Sequence, residues 1–390
     1  MIPVARPWLG EIEADAVRRP LLSGWLTQGP EVAAFESEFA AAVGAPSACA
    51  VANCTVALHL ALRAAGVGPG DDVLTVSHSF IATANSIRYV GARPVFVDVE
   101  PGTFNMDPRR VEEAITPRTR ALLCVHQMGM PCDLAALAGV ARRRGLALLE
   151  DAACAIGSEI LWDGRWERIG RPHGDIACFS FHPRKLVTAG EGGMLTTRHP
   201  ELDRKFRLWR QHGMNVPDTV RHGSDRVVFE EYDELGFNYR MTDLQAAVAR
   251  AQLGRMPAMI ERRRLLAERY GELLAGVEGL RVPEEPAWAR SNWQSFCVRL
   301  PDWCDQRAVM QALLDGGVQT RRGVMCTHRE PAYAIEPWQA GPSGLAESER
   351  AQDRCILLPL YHQLTLEDQE TVARALRAAC AGPAADQERS

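Results

Sequence analysis

A lysine that forms a Schiff base has to be unprotonated part of the time and held near a carbonyl group. Lys185 has a setting of that kind in the segment DIACFSFHPRKLVTAGEGGMLTT, residues 175–197. An apolar run leads into a Ser-Phe-His-Pro-Arg-Lys turn, and a glycine-rich loop leads into a second apolar run. Partial burial beside cationic Arg184 or His182 is expected to lower the lysine pKa toward the reactive form. Standing alone, such a lysine also reads as an ordinary surface charge.

Asp151 ends the run LALLED and precedes AACAIGS, whose small side chains leave room for a flat ring. A carboxylate there can pair with a protonated pyridine nitrogen; the competing reading is a helix N-cap. Asn53-Cys54-Thr55 precedes VALHLAL and offers backbone amides and a hydroxyl at a helix start, which suits a phosphate; capping by Thr55 is the plainer alternative. Ser180 offers another hydroxyl. Phe80, in SHSFIATAN, reads either as a stacking aromatic or as core.

These residues need a scaffold. From about Ala48 to Thr197 short apolar runs alternate with helical patterns, which predicts strands joined by crossover helices in a mostly parallel sheet. Both Asn53 and Asp151 then fall at carboxyl ends of strands, where open α/β sheets bind ligands. Residues 214–232 read as a mobile loop. A long helical pattern from Thr242, interrupted by Pro257, is expected to join a large domain, 1–250, to a smaller C-terminal α+β domain, 251–382. The polar residues 383–390 are expected to be a disordered tail.

The 390 residues are 46% apolar and 24% charged with a net charge of -5, which lacks the basic character of a nucleic-acid binder. Charges and prolines near the start do not suit a signal peptide, and no apolar run reaches membrane-spanning length, so a cytoplasmic protein is expected. Eleven cysteines are scattered without C-x-x-C spacing, which points to reduced core thiols and to no metal site. No phosphate-binding loop of the G-x-x-x-x-G-K-[ST] type and no G-x-G-x-x-G between strand and helix is present.

Taken in order, SGWLTQGPEVAAFE, ANCTVALHLAL, EDAACAIGS, SFHPRKLVTAGEGGMLTT and LGFNYRMTDLQAAVARAQL resemble the DegT/DnrJ/EryC1/StrS family of sugar aminotransferases over almost the whole chain. The resemblance implies the α/β, type I pyridoxal-phosphate-dependent aminotransferase fold and a homodimer with shared active sites. It makes Lys185 the Schiff-base lysine and proton shuttle and Asp151 the partner of the pyridine nitrogen. Cys54, Thr55 and Ser180 would bind the phosphate, and Phe80 would cover the ring. Asn238 would reach the cofactor phosphate of the neighbouring subunit. His182 and Arg240 would line the site, with an internal salt bridge as the alternative for Arg240, and Gly24, Trp25 and Thr27 would lie near the substrate entrance.

Two positions depart from the family pattern. Cys54 stands where many members have glycine, and Cys154 stands where glutamine or histidine can bond the ring hydroxyl. The implied activity is ping-pong transfer of an amino group from glutamate or glutamine to a keto-sugar, nucleotide-linked, through pyridoxamine phosphate. It would serve deoxyamino-sugar, surface-polysaccharide or natural-product biosynthesis. A ketocyclitol substrate and a noncatalytic cofactor-binding sensor are the alternatives; a sugar dehydratase of the family would carry histidine in place of Lys185. Loops around 216–231 and 321–333 would choose the substrate, with Trp288, Trp293, Arg321, Arg322 and His328 as candidate contacts.

Overall fold

The computed structural model describes residues 1–381, so the expected tail at 383–390 lies outside the described residues. In chain order the strands are β1 (Ser47–Val51), β2 (Asp72–Val76), β3 (Arg93–Val97), β4 (Thr119–Val125), β5 (Ala147–Asp151), β6 (Glu159–Trp162) and β7 (Arg165–Arg168). They continue with β8 (Ile176–Ser180), β9 (Gly193–Thr197), β10 (Ala289–Arg290), β11 (Phe296–Arg299), β12 (Arg321–Arg322), β13 (Gln339–Ala340) and β14 (Cys355–Leu358). The helices are α1 (Glu11–Ser23), α2 (Pro30–Val43), α3 (Cys54–Ala64), α4 (Ala82–Tyr89), α5 (Pro108–Ala114), α6 (Leu134–Arg144) and α7 (Pro200–Trp209). After them come α8 (Asp218–Gly223), α9 (Asp243–Leu274), α10 (Gln306–Asp315), α11 (Ala346–Arg354) and α12 (Leu366–Ala379).

Eight strands form one sheet in the order β1-β9-β8-β5-β4-β2-β3-β13. Only β9 is reversed, running antiparallel to both β1 and β8, while the remaining neighbours pair parallel. The strands are buried along almost their whole length because both faces are covered, which is why their centres read as apolar runs. One face packs Phe35, Phe39, Phe179 and Phe181; the other packs Leu58, Leu62, Phe206 and Trp209.

Pairing of β6 with β7 was not foreseen, although Asp163-Gly164 between them is a hairpin signal. Both residues have positive φ, 48° and 77°, as a tight hairpin turn requires. Residues 214–232 are closed at the base by a Met214–Tyr232 bridge and contain α8, whose Arg221 pairs with Asp218 and Glu230.

A second core lies around the sheet β11-β14-β12, with Tyr270, Phe296, Leu358, Val372 and Leu376 in contact. The 32-residue helix α9 serves both cores, the first up to Ile260 and the second from Leu266. A division at 250/251 therefore falls inside one helix. Two further segments cross it: Ile2 bridges Val318 beside the second core, and β13 completes the main sheet next to β3. Among the described residues no helix is long and apolar enough to cross a membrane.

Candidate active site

The register brings the chemistry-bearing strand ends together. Asp151 is level with Cys178 on β8, and Gly193 faces both Ser180 and Val51, so the ends of β1, β5 and β8 share one edge with the start of β9. Reversal of β9 carries the glycine-rich loop after Lys185 back to that edge.

The buried Asp151 carboxylate accepts hydrogen bonds from Thr83 Oγ1 at 2.8 Å and from Ala153 N at 3.1 Å. No helix follows it, so the N-cap alternative is set aside: the carboxylate ends a strand and is locked in a turn. Thr83 lies on the first turn of α4 and is itself bonded to Ser79 at 2.9 Å. It stands three residues after Phe80 in the same motif, and a hydroxyl one turn into a helix that starts at the site edge was the signal available for finding it.

Lys185 is half-buried, with its backbone N bonded to His182 O at 2.8 Å. Its Nζ donates a hydrogen bond to Cys154 Sγ at 3.0 Å. Burial pushes the amine pKa down, but the sulfur of Cys154, together with Asp151 and Cys54, outweighs burial and holds it above the ordinary lysine range. The expected lowering by Arg184 or His182 is corrected here: the Arg184 side chain is exposed, and burial holds His182 below the usual histidine value, so neither brings a strong positive charge to the amine.

At the start of α3 the cap is Asn53, not Thr55: Asn53 Oδ1 accepts from Val56 N at 3.1 Å. The first amides of the helix have no carbonyl one turn back, and the Thr55 hydroxyl is not used for capping. Gly193 lies so close that a Cβ there would fall 2.4 Å from the Asn53 carbonyl, which leaves β9 able to approach this turn only as glycine. Cys54 is buried, and burial followed by the nearby Asp151 charge raises its thiol pKa well above the usual value, so it acts as a neutral packing group. Ser180 is half-buried, its Oγ accepting from His182 N at 3.4 Å.

This arrangement fits a flat, phosphorylated pyridine aldehyde. It combines an amine, a fixed carboxylate, an amide cradle that a side chain at 193 would fill, and small residues between them. Phe80, 62% exposed at the entry to α4, is not core and leaves an open aromatic face at this edge.

The outer residues divide into two groups. Asn238 is exposed, and the adjoining Tyr239 carbonyl accepts from Ala52 N at 2.8 Å, which ties this segment to the end of β1. Arg240 is half-buried and makes no ion pair among the described residues, so the internal salt bridge is not formed. Thr27 is exposed, and half-buried Trp25 donates from Nε1 to Gln28 O at 3.2 Å. Asp243 at the start of α9 accepts from the amides of Gly29, Glu31 and Val32, which fastens this entrance segment.

Several C-terminal candidates are committed elsewhere. His328 has both ring nitrogens engaged, by Ser77 at 2.6 Å and Glu349 at 3.1 Å. Arg322 pairs with Glu330 at 2.9 Å, and Trp293 is buried against Phe296. Arg321 is exposed on β12, and half-buried Trp288 packs against the main core.

A mostly parallel sheet with a lysine, a carboxylate and an amide cradle at one edge defines a type I pyridoxal-phosphate aminotransferase. The chain belongs to the DegT/DnrJ/EryC1/StrS aminotransferase family, whose pattern matches residues 7–377. It is 37% identical over 382 residues to the spore coat polysaccharide biosynthesis protein SpsC of Bacillus subtilis (strain 168), covering 96% of each chain. It is similar to DesI, solved in the presence of its TDP-sugar product, with 32% identity, a TM-score of 0.85 and 100% and 96% coverage of this chain and that one. It is similar too to Spr1654 of Streptococcus pneumoniae, solved in its PLP-form and PMP-form. The PMP-form gives a TM-score of 0.90 at 25% identity and 97% and 99% coverage. The enzyme is a pyridoxal-phosphate-dependent sugar aminotransferase of this family.

Proposed function

We propose that this enzyme moves an amino group from glutamate or glutamine to a nucleotide-linked keto-sugar in two half-reactions, as a homodimer. The observation that carries the reading is the placement of the Lys185 amine and the Asp151 carboxylate at one sheet edge, beside the cradle of Gly193 and the α3 start. DesI with its TDP-sugar product supports a nucleotide-linked substrate.

Bound there, pyridoxal phosphate supplies an electron sink that accepts the amino group and returns it. Lys185 would hold the cofactor through its amine and then move the proton as general base and acid. Asp151, fixed by Thr83 and Ala153, would keep the ring nitrogen protonated. The amides of Cys54 and Thr55 and the hydroxyls of Thr55 and Ser180 would bind the phosphate, and Phe80 would cover the ring. Cys154 would sit beside the amine.

Arg240 and Trp25 are offered to the substrate, Arg240 because its charge is unpaired among the described residues. Exposed Asn238 is offered to the partner's cofactor. Val227 and Phe229, 83% and 85% exposed, support a second copy covering the 214–232 region.

Borohydride reduction of the cofactor-loaded enzyme followed by peptide mapping is expected to label Lys185, and absence of that label sinks the reading. Separately, unreduced enzyme loaded with pyridoxamine phosphate, offered a panel of nucleotide-linked keto-sugars and ketocyclitols, is expected to aminate a nucleotide-linked member. Turnover confined to ketocyclitols would replace the substrate assignment.

A further inference from the structure

Lys185 is gripped from a distant part of the chain. Gln294 Oε1 accepts a hydrogen bond from Leu186 N at 2.9 Å, and Gln294 Nε2 donates to the Arg184 carbonyl. Those are the two peptide groups that flank Lys185, so one side-chain amide fixes the backbone on both sides of the reactive amine. A carboxamide presents an acceptor and a donor side by side in this way, which a carboxylate at neutral pH does not.

The grip has its own support. Gln294 N donates to Asn292 Oδ1 at 2.8 Å, while Asn292 Nδ2 donates to Cys154 O at 2.9 Å and Ile156 O at 2.8 Å. Residues 292 and 294 therefore fasten the backbones of Lys185 and Cys154, whose side chains meet at 3.0 Å. Space for this is reserved: a Cβ on Gly129 would fall 2.1 Å from Asn292 Oδ1. Between the two amides Trp293 takes a positive φ of 52°, unusual for a bulky residue, and packs with Phe296 in the C-terminal core. The buried Arg263 guanidinium donates to the Trp293 and Gln294 carbonyls at 2.9 and 3.1 Å. This segment runs directly into β11, so the C-terminal sheet is joined to the reactive lysine by three consecutive residues.

We infer that Gln294, supported by Asn292, is a positioning residue for amino transfer: it aims Lys185 Nζ and couples that aim to the C-terminal lobe. The inference rests on Lys185 being the amine that carries the cofactor. A small displacement of a catalytic group costs rate more than binding, so the effect falls on kcat rather than KM.

The test uses Gln294→Leu, which removes both bonds, and Gln294→Glu, which keeps volume and an acceptor but cannot donate to the Arg184 carbonyl at neutral pH. Cofactor absorbance is titrated against pH, and kcat, KM and melting temperature are measured beside wild type. Both variants are expected to lose roughly 10- to 100-fold in kcat with KM changed less than about threefold. The pH midpoint of cofactor absorbance is expected to move by about half a unit or more, since the amine changes surroundings. Should Gln294→Leu fail to fold, the Glu variant decides. A lowered melting temperature with kcat and spectral midpoint unchanged overturns the inference and leaves a structural bond only. Borohydride labelling of wild type separates this outcome from failure of the Lys185 assignment, because that failure removes the label itself.

Discussion

Cys154 Sγ accepts a hydrogen bond from Lys185 Nζ at 3.0 Å, so the residue that departs from the family pattern touches the amine proposed to carry the cofactor. Sequence reasoning assigned Cys154 only a lost bond to the ring hydroxyl. Its position next to the lysine gives it a second influence, on how readily that amine sheds its proton.

Removing the sulfur should therefore lower the Lys185 pKa. In Cys154→Ala, burial still pushes the amine down while the largest of the opposing influences is gone. The rate at which cofactor-free enzyme captures pyridoxal phosphate, followed by absorbance across pH, is expected to rise at a lower pH than in wild type. An unchanged or higher midpoint would show that the contact does not govern the amine.

Thr83 should matter chiefly through Asp151, its hydroxyl bonding Ser79 besides. Thr83→Val keeps the shape but strips the buried carboxylate of one of its two hydrogen bonds. A lost bond to a buried charged group costs about 1–3 kcal/mol. Cofactor affinity, measured by fluorescence titration, is expected to fall by roughly tenfold, about 1.4 kcal/mol. Thr83→Ser is expected to stay close to wild type, and equal loss in both variants would point to packing instead of the hydroxyl.

The parts legible in the sequence were those governed by local pattern. Strands covered on both faces read as apolar runs, and Asp151 and Lys185 could be picked out as candidates because one ends such a run and the other lies in the turn that follows one. What stayed hidden depends on approach in space. Gln294 grips Leu186 across 108 positions, and nothing in QSFCVRL marks it. Asn53 and Thr55 are both good capping residues two positions apart, so the pattern did not choose between them. The Lys185 pKa was misjudged because its nearest charged neighbours in sequence, Arg184 and His182, are not the groups that surround it in space.

A buried charge cluster ties α2 to β1 and α7, and it should set acid stability. Glu36 accepts from Arg207 at 2.6 Å, from Arg210, and from Ala50 N at 2.9 Å. Burial pushes its pKa up, but Arg210 and Arg207 outweigh this and hold it below the ordinary value of 4.5. A depressed carboxyl stabilises the fold above its unfolded pKa, and that contribution fades as pH falls through the folded value. Glu36→Gln leaves the buried Arg210 without its anion, while half-exposed Arg207 keeps Asp203, at a cost of about 3–5 kcal/mol near neutral pH. The gap in melting temperature between variant and wild type is expected to be wide at pH 7 and to narrow as pH falls below the ordinary carboxyl value of 4.5 and on through the lower folded value. A constant gap would remove Glu36 from the acid response.

The entrance segment supplies a steric test of Trp25. Gly29 has φ near -158°, a conformation open to any residue, so its lack of a side chain concerns space and not backbone strain. A Cβ at that position would fall 2.0 Å from Trp25 Nε1 and 2.8 Å from Asp243 Oδ2. Asp243 is held by three amides and cannot retreat freely, so Trp25, whose ring makes one bond to Gln28 O, is the group that must move. If Trp25 meets the keto substrate, Gly29→Ala raises KM for that substrate by roughly tenfold, the scale of one lost contact of about 1.4 kcal/mol. The donor half-reaction, measured alone by single-turnover absorbance, should change much less, because glutamate or glutamine is not assigned to this segment. Equal impairment of both half-reactions would mean that the segment supports the whole site and that Trp25 has no particular part in accepting the sugar.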